Sequence, residues 1–485
     1  MKNEIGFKTA GRRASGASPG GSRAGSGRSW LLVAACLLLL LVSRFRTSLR
    51  NEHAFAKDAS TATAKSSDAA GLLPKVGRER LVALGKTSRS APEPTAEEIV
   101  ASKVKQFAKS RREILHALAQ KLDVGVPEDV QRFFNALEAG QWEDIEAQFK
   151  RLVEHKRADG GNEDLARLWG PILDAYGAAE QAHLWPAQKL LDYGNAVLGS
   201  LRPGMIYVGG TDEGRWIPTL LNDTSDGERH VILTQNALAD QSYLKYLEFL
   251  HGDQIAALTR TDSERAFSDY LSDARKRFEH DQQFPDEPKQ LRPGEDVRFD
   301  ENNKIQVSGQ VAVMAINEKL LQILMEKNPD RPFALQESFP FKSTYADAVP
   351  LGPIMELRAN EPQNAYTAER AAQMVDYWQT TAQRLLSEPD AQSSPDILSS
   401  FAVLAVSQGN LLADHKFSAE AEQAYRVAAT LAPSNPEAVL NYANLLVDQK
   451  RPGEAIPVLE TALATAPDNG QFRQLLAGIK GQNRN

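Results

Sequence analysis

The chain has 485 residues, 42% of them hydrophobic and 25% charged, with a formal net charge of -7 at pH 7; this is ordinary globular composition, with room for roughly two or three domains. The acidic balance argues against a nucleic-acid binder, which shows a basic face. The one cysteine, Cys36, lies in an apolar N-terminal run. A disulfide framework, a cysteine nucleophile and a cysteine-ligated zinc site are therefore excluded downstream, and the redox compartment stays open.

Residues 1–29 form a basic tail in which Lys2, Lys8, Arg12, Arg13, Arg23 and Arg28 face only Glu4, a charge of +5. WLLVAACLLLLLV follows at residues 30–42, 13 apolar residues without a break. A full membrane span takes about 20 apolar residues and a signal-peptide core about 10–14. Arg28 and Arg44 can snorkel to the two interfaces and lengthen the effective span. The nearest small-residue cleavage site, Ala54-Phe55-Ala56, is distant from the run. The expectation is an uncleaved single-pass anchor in the cell membrane. The alternatives are secretion after signal cleavage and a buried soluble helix. Residues 43–57 carry +3, so the more basic flank is N-terminal, which places the N-terminus in the cytoplasm and the bulk of the chain in the periplasm.

Residues 43–95 are rich in Ala, Ser, Thr and Lys with no sustained apolar period, and read as a flexible linker. A helical region is expected over 96–200. Within it Phe133, Phe134 and Leu137 make one apolar face, and Trp142, Ile145, Phe149 and Leu152 make a second beyond Ala139-Gly140, the pattern of a helical hairpin. At Arg202-Pro203-Gly204 the period changes. MIYVGG (205–210) and VILTQN (231–236) read as buried strands separated by a short helix limited by Pro218, and a helix with Tyr243, Leu244, Leu247 and Leu250 on one side follows. Residues 296–309 suggest a hairpin around Asn302-Asn303, and PFALQES and GPIMELR supply later strands. The expected class is α/β plus all-α: a small three-layer, parallel-type α/β domain over 201–360, flanked by the helical region and by a helical domain over 361–485.

The strongest periodicity lies in that last segment. Residues 402–435 and 436–469 align at an offset of 34, pairing Gly409 with Ala443, Leu412 with Leu446, Ala421 with Ala455, Tyr425 with Leu459, Ala428 with Ala462 and Pro433 with Pro467. This pattern resembles the tetratricopeptide repeat, in which small residues mark the close approach of two helices and proline ends the second. The resemblance implies a surface for a protein partner. The alternative is that so short an array only packs on the α/β unit.

A strand running into Gly209-Gly210 and then a helix is a place where a backbone can approach a ligand and a helix N-terminus can favour an anion. In open α/β sheets ligands bind at the C-terminal ends of the strands. Gly209, Gly210, Thr211, Asp212, Arg215, Asn236, Asp240, Glu337 and Ser338 all fall there, and are the candidate ligand-binding residues for a sugar or phosphosugar. The plainer reading is a structural turn, with Asp212 capping the helix and Arg215 pairing with it. GGTDEGR is neither GxGxxG nor a Walker loop. The eight histidines are scattered without a metal-binding spacing, and no GxSxG occurs. No cofactor, metal or catalytic residue is therefore assigned, and whether the chain is an enzyme stays open.

The blocks GGTD with Arg215, TQNALAD, INE and ESFP occur in the order seen in the soluble region of bacterial membrane proteins related to protein O-mannosyltransferases, and about residues 160–360 resemble that region. Their presumed catalytic part is a multi-spanning membrane region, for which this chain has no counterpart. The resemblance therefore implies an accessory domain, with no catalytic residue to carry over. The functional expectation is a membrane-anchored, extracytoplasmic interaction or scaffold protein. An accessory glycan- or phosphosugar-binding component is the alternative.

Overall fold

The first helix of the body is long because its apolar residues fall on one stripe. In α1 (Ala96–Leu122), Val100, Phe107, Ala108, Leu115, Leu118 and Ala119 are buried on that stripe, together with one charged residue, Arg111. These coordinates are a computed structural model that describes residues 94–157, 163–292, 294–300, 303–337, 347–357, 366–392 and 394–482. The basic tail, the apolar run at 30–42, nearly all of the linker and Ser338 lie outside the described residues.

The expected helical hairpin is α2 (Glu128–Ala139) and α3 (Trp142–Arg157), closed at Gly140 with φ 75°, a left-handed residue whose N–H bonds Ala136 O at 3.0 Å. Phe133, Phe134, Leu137, Ile145, Phe149 and Leu152 are buried. Trp142 is only half-buried and stacks on His183 at 4.5 Å. The short α4 (Glu163–Arg167) leads to α5 (Trp169–Leu184) and α6 (Ala187–Leu198), which bring the chain to the sheet.

β1 (Ile206–Gly209) and β2 (Val231–Thr234) pair in parallel, Ile206 opposite Val231, with α7 (Asp212–Asp223) crossing between them. A single 3-10 turn, Gln235–Ala237, precedes α8 (Gln241–His251). Then come α9 (Arg260–Gln283), the antiparallel hairpin β3 (Asp296–Phe299) and β4 (Ile305–Ser308), and α10 (Gln310–Lys327). β5 (Phe333–Leu335) lies parallel to β1 on its other side, Ile206 opposite Phe333.

Two expectations are corrected here. The sheet is not parallel throughout. Its order is β2-β1-β5-β7-β6, and β6 (Val349–Leu351) and β7 (Ile354–Leu357) are antiparallel to each other, as β7 is to β5. The reason is local: only Gly352-Pro353 separates β6 from β7, and so short a connection can join antiparallel strands alone. A mostly helical protein with a small mixed sheet and C-terminal helical repeats describes the molecule better than a three-layer parallel domain. Nor does Pro218 limit its helix. α7 runs through it, because Gly214 O, which the missing N–H of Pro218 leaves unmet, accepts instead from the hydroxyl of buried Tyr207 at 2.8 Å.

The C-terminal part comprises α11 (Ala368–Ser387), the short α12 (Pro389–Gln392), α13 (Pro395–Asp414), α14 (Ser418–Leu431), α15 (Pro436–Asp448), α16 (Pro452–Thr465) and α17 (Gly470–Gln482). Among the described residues, α13 is the helix with the length and apolarity of a membrane span, at mean hydropathy 1.3, but 72% of its apolar window is buried. It is a core helix: Gln408 Nε2 donates to Ile354 O on β7 at 2.9 Å, and Tyr193 meets Phe401 edge-on at 5.4 Å. One hydrophobic core runs from Tyr207 and Ile354 in the sheet through Phe401 and Tyr425 to Phe472 and Ile479 in the last helix. The described residues from Ala96 onward accordingly form one compact unit.

Candidate functional site

β5 ends beside β1, with Gln336 N bonded to Val208 O at 3.0 Å. That register carries the Gln336 side chain over the turn that leaves β1. Its Oε1 accepts from Gly210 N at 2.7 Å and Thr211 N at 3.2 Å, while its Nε2 donates to Thr211 Oγ1 at 2.8 Å and Tyr193 OH at 3.2 Å. Gln336 is 1% exposed. The backbone donors at the start of α7, the feature that suggests an anion site in the sequence, are thus met by a neutral amide of the chain itself. The fit requires glycine: a Cβ on Gly214 would lie 1.8 Å from Gln336 Oε1.

The cap of α7 is Thr211, whose Oγ1 accepts from Gly214 N at 3.1 Å, rather than Asp212. Arg215 turns to α5, where its Nη2 donates to Asp174 Oδ1 at 2.7 Å. Asp174 also accepts from Tyr246 OH at 2.9 Å and lies 3.5 Å from Arg111 Nε, and Arg111 forms a second ion pair with Asp223. Burial disfavours the charge on Arg215, but Asp174, Tyr243, Tyr246 and Asp212 together more than offset it and its pKa is raised. The paired charges tie α1, α5 and α7 together, and the Tyr246 hydroxyl joins α8 to them. Asp240 caps α8, accepting from Ser242 N at 2.8 Å and Tyr243 N at 3.4 Å.

The remaining candidates converge on the turn. Asn236 Nδ2 donates to Gly210 O. Glu337 is 6% exposed, and its Oε1 lies 2.8 Å from where a Cβ on Gly210 would sit; a Cβ on Gly209 would meet Gly214 O at 2.7 Å. Gly209, Gly210, Thr211, Asn236 and Glu337 therefore share one place. Arg215 serves a neighbouring charge cluster, and Asp240 the next helix.

Sequence reasoning passed over Gln336, Asp174 and Glu180. Gln336 had a signal: a polar residue directly after a buried strand, beside Glu337. Asp174 and Glu180 had none beyond their place in an otherwise apolar helix. Glu180 lies close enough to Asp212 and Glu146 to feel both. Its pKa is pushed up to about 7 by burial first, with those two carboxylates adding and the 2.9 Å hydrogen bond from Tyr176 opposing. Among the described residues no group of three His, Cys, Asp or Glu side chains is placed to hold a metal.

In the repeats the backbone repeats with the sequence. Lys416 and Lys450, 34 apart, both take left-handed φ, 69° and 63°. Phe417 N bonds Leu412 O at 2.9 Å and Arg451 N bonds Leu446 O at 2.8 Å, the closing bonds of two equivalent helix ends. Asn435 and Asn469 cap α15 and α17 alike, accepting from Glu437 N and Gln471 N at 2.9 and 3.0 Å. Ala421, Ala428, Ala443, Ala455 and Ala462 are fully buried at the helix crossings, and a Cβ on Gly409 would lie 2.5 Å from Tyr425 Cε1. Glu422 bridges Arg426 and, from the next helix pair, Arg451.

Fold and site together define a mostly helical protein whose C-terminal helix pairs stack in series on a small mixed sheet. Residues 412–479 match the tetratricopeptide repeat family, whose stacked helices suggest a protein-interaction scaffold. No curated protein and no solved structure matches the chain, so the resemblance of residues 160–360 to O-mannosyltransferase-related proteins gains no support.

Proposed function

We propose that the chain is a membrane-anchored, extracytoplasmic scaffold that holds a protein partner on its C-terminal repeats. The observation behind this reading is the register of sequence and backbone at a 34-residue offset, seen in Lys416 with Lys450 and Asn435 with Asn469. Because α13 is buried against the sheet, the surface left to a partner belongs to α15 and α17, where Leu440, Leu475 and Leu476 are half-buried and Glu437, Asn444 and Asp448 are exposed. The anchor is residues 30–42, with the N-terminus cytoplasmic. The test is co-purification of full-length protein in mild detergent against a Leu440→Asp, Asn444→Ala variant checked for fold by circular dichroism. The partner should be lost from the variant and kept by Asp212→Ala protein checked for fold in the same way; the reverse pattern refutes the assignment.

A second reading, an accessory glycan- or phosphosugar-binding component of a glycosyl-transfer system, draws on one observation at the sheet edge. The Gln235 side chain, 1% exposed, has no hydrogen-bond partner at either terminal atom.

A further inference from the structure

Buried polar atoms are almost always hydrogen-bonded, and each exception asks for an absent partner. Gln235 Nε2, Gln235 Oε1 and Asn317 Oδ1 are three such exceptions. Gln235 is 1% exposed and Asn317 is 3% exposed. They belong to adjoining elements, since α10, which carries Asn317, packs on the Gln235–Ala237 turn. The Gln235 amide is well placed: Nε2 lies 2.7 Å, and Glu337 Oε1 2.8 Å, from the position of a Cβ on Gly210. Amide and carboxylate thus converge over a bare Cα.

The chemistry at this edge is one-sided. Gln235 Oε1, Asn317 Oδ1 and the Glu337 carboxylate accept, while Gln235 Nε2 donates. The donors a phosphate would need are committed elsewhere: Gly210 N and Thr211 N to Gln336, and Arg215 to Asp174. An anion would also meet the carboxylate of Glu337. Hydroxyl groups, which donate and accept, suit the arrangement.

We propose that the C-terminal edge of the parallel strands, at Gly210, Gln235, Asn317 and Glu337, binds the hydroxyl groups of an uncharged polyhydroxy compound such as a monosaccharide. This rests on the second reading above, that the sheet edge holds a ligand, and replaces its phosphosugar with a neutral sugar. It is independent of the repeats.

The experiment uses full-length protein in mild detergent, with D-glucose, D-mannose and myo-inositol as neutral probes and glucose 6-phosphate as the charged one, read by thermal shift and calorimetry. At least one neutral probe should raise Tm, since a ligand bound only by the native state stabilises it. Gln235→Leu, which removes the orphaned atoms at similar volume, should fold with Tm no lower than wild type and bind the same probe at least tenfold more weakly. Gly210→Ala should weaken it as well. Tighter binding of glucose 6-phosphate than glucose overturns the neutral-ligand inference while leaving a sheet-edge site. No shift with any probe overturns both, as does an undiminished shift in Gln235→Leu. Partner capture by Gln235→Leu should stay at the wild-type level throughout.

Discussion

Tyr207 and Pro218 should be energetically coupled although they are 11 residues apart on different elements. Pro218 cannot donate to Gly214 O, and the Tyr207 hydroxyl does so at 2.8 Å from a ring with no exposure. Burial holds the phenol well above its ordinary pKa, so it remains a neutral donor. Tyr207→Phe keeps the ring and strands a buried carbonyl, which should cost about 1–3 kcal/mol. In a Pro218→Ala background residue 218 regains its N–H and can close the helical bond to Gly214 O, so the same change should cost about 0–0.5 kcal/mol. The assay is a double-mutant cycle by urea unfolding, followed by far-UV circular dichroism and tryptophan fluorescence. An equal cost in both backgrounds, or none in either, would refute the account of how α7 passes through its proline.

Gln336→Leu should cost about 2–4 kcal/mol in the same assay, because it leaves Gly210 N and Thr211 N buried without an acceptor; Gln336→Ala, which also makes room, should gain more stability from added phosphate than wild type does. Asp174→Ala should cost about 3–5 kcal/mol by leaving Arg111 and Arg215 buried and short of a counter-charge, and Asp174→Asn less. Burial pushes the Glu180 pKa in the folded protein up to about 7 from the ordinary value of 4.5, so the folded state holds the extra proton between those values. Its contribution, on the order of 1–3 kcal/mol, is therefore fully present below pH 4.5 and lost as pH rises through 7. Glu180→Gln should flatten that part of the stability–pH curve, and an unchanged curve would sink the assignment. Gly409→Ala should destabilise the repeats by about 1–3 kcal/mol through its 2.5 Å approach to Tyr425; Gly453→Ala, with nothing within 4 Å, should gain about 0.5–1 kcal/mol, both read from urea midpoints.

The legible parts of the sequence were those in which local pattern and tertiary role coincide. The hairpin of α2 and α3 shows its burial in Phe133, Phe134, Ile145 and Phe149, because period and burial are the same fact in an amphipathic helix. The 34-residue offset fixed the helix ends of the repeats as well as their small residues, although Asn435 and Asn469 as caps went unread beside Pro433 and Pro467. Nine residues at strand ends were singled out, and five of those described meet at one turn. Their partners were hidden, since Gln336 lies 126 residues from Gly210, and a pairing of that separation leaves no local trace.

The sequence alone determined the locally written elements: the amphipathic helices by a period of 3.6, the buried strands at Ile206 and Val231 by short unbroken apolar runs, and the tandem repeat by an offset of 34. Only the tertiary structure decided what those elements meet. It turned β7 antiparallel, drew Arg215 to Asp174, and seated Gln336 on the α7 donors that the sequence offers to an anion. The physical reason is that a buried backbone donor must find an acceptor somewhere. The chain names the donor, while the fold chooses the acceptor.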